Sequence, residues 1–127
     1  MLEDRTIRLW SYNLETILAE KLQTILSRGI LNTRMRDYYD LYTLSLQYRD
    51  SINGETLRQA FRATCHKRDS MKLIETSDTI IDNISEDPNL NRLWQAYQKK
   101  YSYATDLPYD KVINAVKDLY IRTVQEE

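Results

Sequence analysis

Apolar residues recur at helical spacing from Leu14 to Leu26, with Leu14, Ile17, Leu18, Leu22, Ile25 and Leu26 on one side. Asn13 is placed to cap this helix and Gly29 to stop it. Ahead of it, Arg5 to Trp10 alternates, with Ile7 and Leu9 on one face, which predicts one short strand. A break at Gly29 to Asn32 leads into TRMRDYYDLYTLSLQY, where Asn32 or Thr33 caps and Tyr38, Leu41, Tyr42 and Leu44 form the apolar side. So short a break makes these two helices antiparallel neighbours. After the turn RDSING, a third helix runs from about Glu55 to His66 on Leu57, Ala60, Phe61 and Thr64. Ile80, Ile81 and Ile84 suggest a short helix within Ser70 to Glu86. Asp87 and Pro88 make an N-cap and first-turn pair for a helix striped by Leu90, Leu93, Trp94, Tyr97 and Tyr101. A last helix from about Pro108 holds Val112, Ile113, Val116, Leu119, Tyr120 and Val124. The expected fold is all-α: a bundle of five to six helices with one short N-terminal strand, forming a single domain over residues 1–127.

Composition narrows the function. Two Gly and two Pro in 127 residues leave no Gly-rich phosphate loop and few hairpin turns. The net charge of −1 argues against a wholesale nucleic-acid or membrane-surface binder, yet it conceals an uneven spread. Residues 1–72 hold 12 basic and 9 acidic side chains; the remainder hold 6 and 10. An anionic partner is therefore expected at the first half. Cys65 is the single cysteine and has only His66 beside it, short of a zinc site, and a reducing compartment suits it. With no apolar run long enough for a span and no leader-like N-terminus, a cytoplasmic protein without membrane contact is expected.

Charges interrupt the apolar faces of the first two helices. On a helical wheel Lys21 and Arg28 fall inside the arc of Leu14, Leu18, Leu22 and Ile25, and Arg34 and Asp37 fall on the side of Tyr38 and Leu41. An unpaired charge in a core costs several kcal/mol, so these groups either pair across the helices or line a cleft. Pairing would join Lys21 or Arg28 to Asp37. A cleft would present a lysine point charge, a bidentate arginine fork and a carboxylate to an anionic ligand.

SYNLETILAEKLQTILSRG followed by NTRMRDYYDLYTL resembles the AbiEii/AbiGii toxin family of nucleotidyltransferases, of abortive-infection and type IV toxin–antitoxin systems. The likeness lies in Ala19, Glu20, Lys21 and Leu22 with Arg28, and in Arg34, Arg36, Asp37 and Asp40; LRQAFRATCHKR and NLNRLWQAYQKKYSYA extend it. The resemblance implies nucleotide binding by Lys21 with Arg28 and Arg34, catalytic roles for Asp37 and Lys21, and supporting roles for Asp40 and Arg36. It further implies Mg2+ and a nucleoside triphosphate in the complete protein, nucleotide transfer to tRNA that arrests growth, and a cognate antitoxin. The catalytic sheet of that superfamily, with its Gly-Ser turn and metal-binding acidic residues, is missing here. The strand at Arg5 to Trp10 resembles that sheet's last strand, so the chain is expected to be the C-terminal helical half, inactive alone and holding no metal or cofactor by itself. The alternative is a non-catalytic helical interaction or regulatory module with the same charges as internal salt bridges. An apolar surface where the sheet would dock makes a homo-oligomer conceivable.

Two further groups bear on nucleic acid. Arg58, Arg62, Lys67 and Arg68 make a basic edge able to follow RNA phosphates, though a solvated helix face is the commoner meaning of such a cluster. Ten tyrosines, among them Tyr38, Tyr39, Tyr42, Tyr97, Tyr101 and Tyr103, are able to stack bases, but tyrosines at helical spacing are expected first as core.

Overall fold

A computed structural model describes the backbone of residues 2–124 and the side chains of residues 14–124. Six helices account for the fold: α1 (Leu2–Arg28), α2 (Met35–Gln47), α3 (Gly54–Lys67), α4 (Leu73–Glu86), α5 (Pro88–Lys100) and α6 (Tyr109–Val124). Short 3-10 turns at Gly29–Leu31, Arg49–Ser51 and Ser102–Ala104 complete the connections. Among the described residues there is no strand, and no helix is long and apolar enough to cross a membrane.

The all-α expectation holds and the N-terminal strand does not. Residues 5–10 continue α1 as helix, and Asn13 lies within that helix rather than capping it. A lone strand would leave its backbone N–H and C=O groups without a ladder, whereas a helix satisfies them locally. The side chains of Arg5 to Trp10 lie outside the described residues.

Gly29 ends α1 at φ +52°, the left-handed conformation that glycine adopts without a Cβ clash. Asn32 lies buried in the connection and accepts the backbone N–H of Arg34 at 3.3 Å. Its side chain thus braces the turn, while Arg34 occupies the N-cap position of α2. The expected Asp87 cap forms, its carboxylate accepting from Leu90 N–H at 2.9 Å ahead of Pro88, and Asn53, at the end of the turn RDSING, also caps α3 by accepting from Thr56 N–H. Glu15, buried in the middle of α1, accepts the backbone N–H of Asn53 at 2.8 Å and ties the start of α3 to α1.

α1 is the axis of the core. It packs most extensively on α3 and also touches α2, α4 and α6, which is why Leu14, Leu18, Leu22 and Ile25 are all fully buried. α6 closes the opposite side against α2, α3 and α4. α5 is the outer helix, held to α2, α6 and the turn that follows it. It is anchored by buried Trp94, whose indole N–H donates to the Leu107 carbonyl at 2.8 Å. The segment Ser70 to Glu86, only partly resolved by its pattern, becomes the full helix α4 with Leu73, Ser77, Ile81 and Ile84 inward. Cys65 is fully buried, and burial pushes its thiol up from the ordinary value; its neighbour His66 faces solvent, so the two do not converge.

Two buried tyrosines differ in one respect that stability measurements can read. Tyr109 donates its hydroxyl to the Ile84 carbonyl at 2.9 Å, whereas the Tyr38 hydroxyl is buried without a hydrogen-bond partner. Burial raises both hydroxyl pKa values above the ordinary 10.0. Tyr109→Phe is expected to cost about 1–3 kcal/mol by orphaning a buried carbonyl, and Tyr38→Phe to be neutral or stabilising. Urea denaturation of the two variants checks this. Because both groups ionise more easily in the unfolded chain, their contribution is constant below about pH 10 and is lost as pH rises further.

Candidate functional site

The six residues singled out in the sequence lie around the α1–α2 hairpin, in three different environments. Lys21, on the third-last turn of α1, is flanked by buried Leu18, Leu22 and Ile25. Its Nζ emerges to meet Asp40 Oδ2 of α2 at 3.2 Å, with the two side chains 26% and 32% exposed. Residues 21 and 40 stand nearly equally far from the Gly29–Leu31 turn, the pairing expected of helices that fold back on each other. Arg36 reaches the same carboxylate oxygen from one turn earlier on α2, at 3.9 Å. Asp40 is thus shared by two cations.

Asp37 is buried, as its position on the wheel requires. It sits in the first turn of α2, where the helix dipole favours a carboxylate. Its Oδ2 is shielded from solvent and accepts no hydrogen bond; the nearest cation, Arg34 Nε, stands at 3.9 Å, too far for one. A buried carboxylate oxygen left without a donor is an unused acceptor, and such groups are uncommon in folded proteins.

The expected burial of Arg28 and Arg34 is not found. Arg28 is exposed at the end of α1, and the Arg34 side chain is 65% exposed. Both lie where the helical wheel stops applying: Arg28 is the last residue of α1, and Arg34 precedes α2 with a non-helical backbone. The expected bridge from α1 to Asp37 is likewise replaced by Lys21–Asp40. Asp40 is able to receive the lysine because α2 begins only at Met35 and turns that side toward α1.

A group of tyrosines borders this corner. Tyr39 precedes Asp40, and its ring lies 4.7 Å from that of Tyr103 and 6.3 Å from that of Tyr97. Burial, the hydrogen bond to Tyr103 and the nearby charge of Asp40 push the Tyr97 hydroxyl well above its ordinary range, with Arg36 acting in the opposite sense. The expectation of tyrosine as core fits buried Tyr38 and also half-buried Tyr39 and Tyr97, which pack against the core; it does not fit Tyr103, which is exposed. The signal available in the sequence was the pair Tyr97 and Tyr101, one turn apart with Lys99 and Lys100 between them, followed closely by Tyr103.

One member of the alternative basic edge is engaged elsewhere. Arg68 turns back onto α1, donating to Gln23 at 2.5 Å and Thr24 at 3.2 Å, so it serves as a structural tie. A cavity of about 680 Å³ lies between the end of α2 and α6, where Tyr42, Arg49, Asp50, Lys111, Asp118 and Arg122 are among its lining residues. None of the six motif residues lines it. Among the described residues, no group of three or more His, Cys, Asp or Glu side chains is disposed to hold a metal ion. Asp37 and Asp40 therefore do not compose a Mg2+ site from this corner alone.

Against known proteins, residues 1–119 match the family model described as nucleotidyl transferase AbiEii toxin, type IV TA system. No curated protein and no solved structure matches the chain.

The partial exposure of Lys21 and Asp40 limits what their bridge contributes to folding. A double-mutant cycle of Lys21→Met and Asp40→Asn is expected to give a coupling of about 1 kcal/mol or less in urea denaturation. A coupling of several kcal/mol would make the bridge a structural element.

Proposed function

Because the chain belongs to the AbiEii nucleotidyltransferase toxin family of type IV toxin–antitoxin systems, we propose that the α1–α2 corner forms one wall of its nucleotide site. The single observation that supports this most is the state of Lys21: a cation at the edge of the core, paired with Asp40 at 3.2 Å and about a quarter exposed, on a hairpin that also carries a buried carboxylate, Asp37, with an unused acceptor. In this reading Lys21 receives the triphosphate, and Asp40 with Arg36 positions its ammonium until phosphate oxygens share it. Arg28 and Arg34, both exposed, add forked contacts to the same anion. Asp37 is the candidate to accept a proton from the attacking hydroxyl, since its Oδ2 has no donor of its own.

Nucleotidyl transfer in such enzymes draws on a divalent metal to neutralise the transferring phosphates. The described residues do not assemble the ligands for one, so no step is assigned to a metal here. The proposal has metal-holding carboxylates supplied by a separate catalytic domain, with this helical unit inactive by itself, tRNA as acceptor and an antitoxin as the restraining partner.

The 3.2 Å Lys21–Asp40 bridge also favours a second reading, in which the corner is an internal brace of an interaction module. Calorimetric titration with GTP, alongside thermal melts, separates the two. The nucleotide reading expects Lys21→Ala to weaken binding roughly tenfold or more, as loss of a charge-assisted contact does, with little change in Tm. Unchanged binding with a lowered Tm would leave only the brace.

A further inference from the structure

The aromatic group beside Asp40 is built in a way that core packing does not require. Tyr97 and Tyr101 have ring centres 4.7 Å apart, Tyr101 and Tyr103 5.4 Å, and Tyr39 and Tyr103 4.7 Å, so the four rings form one continuous set. The set is fixed from beneath. Trp94, buried and tied to the Leu107 carbonyl, stacks against Tyr97 at 5.3 Å with 21° between planes, and the hydroxyls of Tyr97 and Tyr103 are hydrogen-bonded at 2.8 Å. Yet Tyr103 remains 53% exposed. The ordering entropy of these rings is already spent in the free protein, and stacking area is left open to solvent.

The rim of this surface is cationic and hydroxylic rather than aliphatic. Lys100 Nζ lies 5.5 Å from the centre of the Tyr101 ring, and Lys99 shares that last turn of α5. On the other border Arg36 and the Lys21–Asp40 pair stand close enough that the charges of Asp40 and Arg36 both act on Tyr97. Flat rings linked by anionic groups match both the stacking faces and the cations, which is the chemistry of unpaired nucleotides.

We propose that Tyr101 and Tyr103, supported by Tyr39, Tyr97 and Trp94 and flanked by Lys100, form a stacking platform for a single-stranded RNA segment next to Lys21 and Asp40. The identification of that strand as the acceptor rests on the nucleotide-site reading above; the binding of the strand does not.

Fluorescence anisotropy of a short labelled oligoadenylate titrated with the full chain tests this. Tyr103→Ala is expected to weaken binding roughly tenfold, and Tyr103→Phe, which keeps the ring and loses only the hydroxyl, to retain it. Lys100→Ala is expected to weaken binding and to reduce its salt dependence by about one counterion. Tyr103 and Lys100 are both exposed, and circular dichroism melts confirm folding of each variant. Wild-type affinity in Tyr103→Ala would overturn the proposal. So would equal losses in the Ala and Phe variants, equal binding of the same sequence as a duplex, or competition by ATP showing that the platform reads a mononucleotide. GTP affinity measured on the same variants separates the two readings: a platform that fails with Lys21-dependent GTP binding intact leaves the nucleotide site standing, and the converse leaves the platform.

Discussion

Lys21 lies on a helix that the rest of the molecule surrounds. Leu18 and Leu22, on its flanks, are fully buried, and α1 meets α2, α3, α4 and α6 along its length. A lysine there has two ways to avoid an unpaired buried charge: extend toward water or find a carboxylate. It does both, with its stem along the core surface and its ammonium 3.2 Å from Asp40 at the solvent boundary. The length of the Gly29–Asn32 connection, the bracing of that turn by Asn32 and the starting point of α2 combine to bring Asp40 rather than Asp37 to this spot. Asp37 is left further inside, with an oxygen that nothing in the described structure satisfies.

Much of this was legible in the residues. Helical periodicity located α3, α5 and α6 closely, and Gly29 and the Asp87–Pro88 pair marked termini by chemistry that acts within a few residues. Local pattern failed where the deciding partner was distant. The alternation at Arg5 to Trp10 had no sheet to pair with, and the backbone became helix. The wheel put Lys21 and Asp37 on the inner side as observed, but it misplaced Arg28 and Arg34 because neither lies within a packed stretch of helix. Nothing in the spacing could choose Asp40 over Asp37 as the partner of Lys21, since that depends on how far apart α1 and α2 settle and where α2 begins.

The same limit explains the tyrosines. Their spacing on α5 announced a stripe, and Trp94 and Leu90 are indeed its buried part. Tyr101 and Tyr103 leave the helix at its C-terminal end, and the turn there folds them back over Tyr97 and against Tyr39 from α2. A surface of aromatic faces is thereby joined to the charged corner of the hairpin. The chain belongs to the AbiEii family over residues 1–119.

In the proposed nucleotide site the Lys21 ammonium exchanges part of its contact with Asp40 for the phosphates of a nucleotide. Side-chain NMR of the lysine ammonium and aspartate carboxyl resonances during titration with GTP observes that exchange directly. The Lys21 and Asp40 signals are expected to shift together and to saturate at a common GTP concentration, while lysines that do not contact the nucleotide stay unmoved. Signals of Lys21 and Asp40 that remain unchanged at saturating GTP would contradict that exchange.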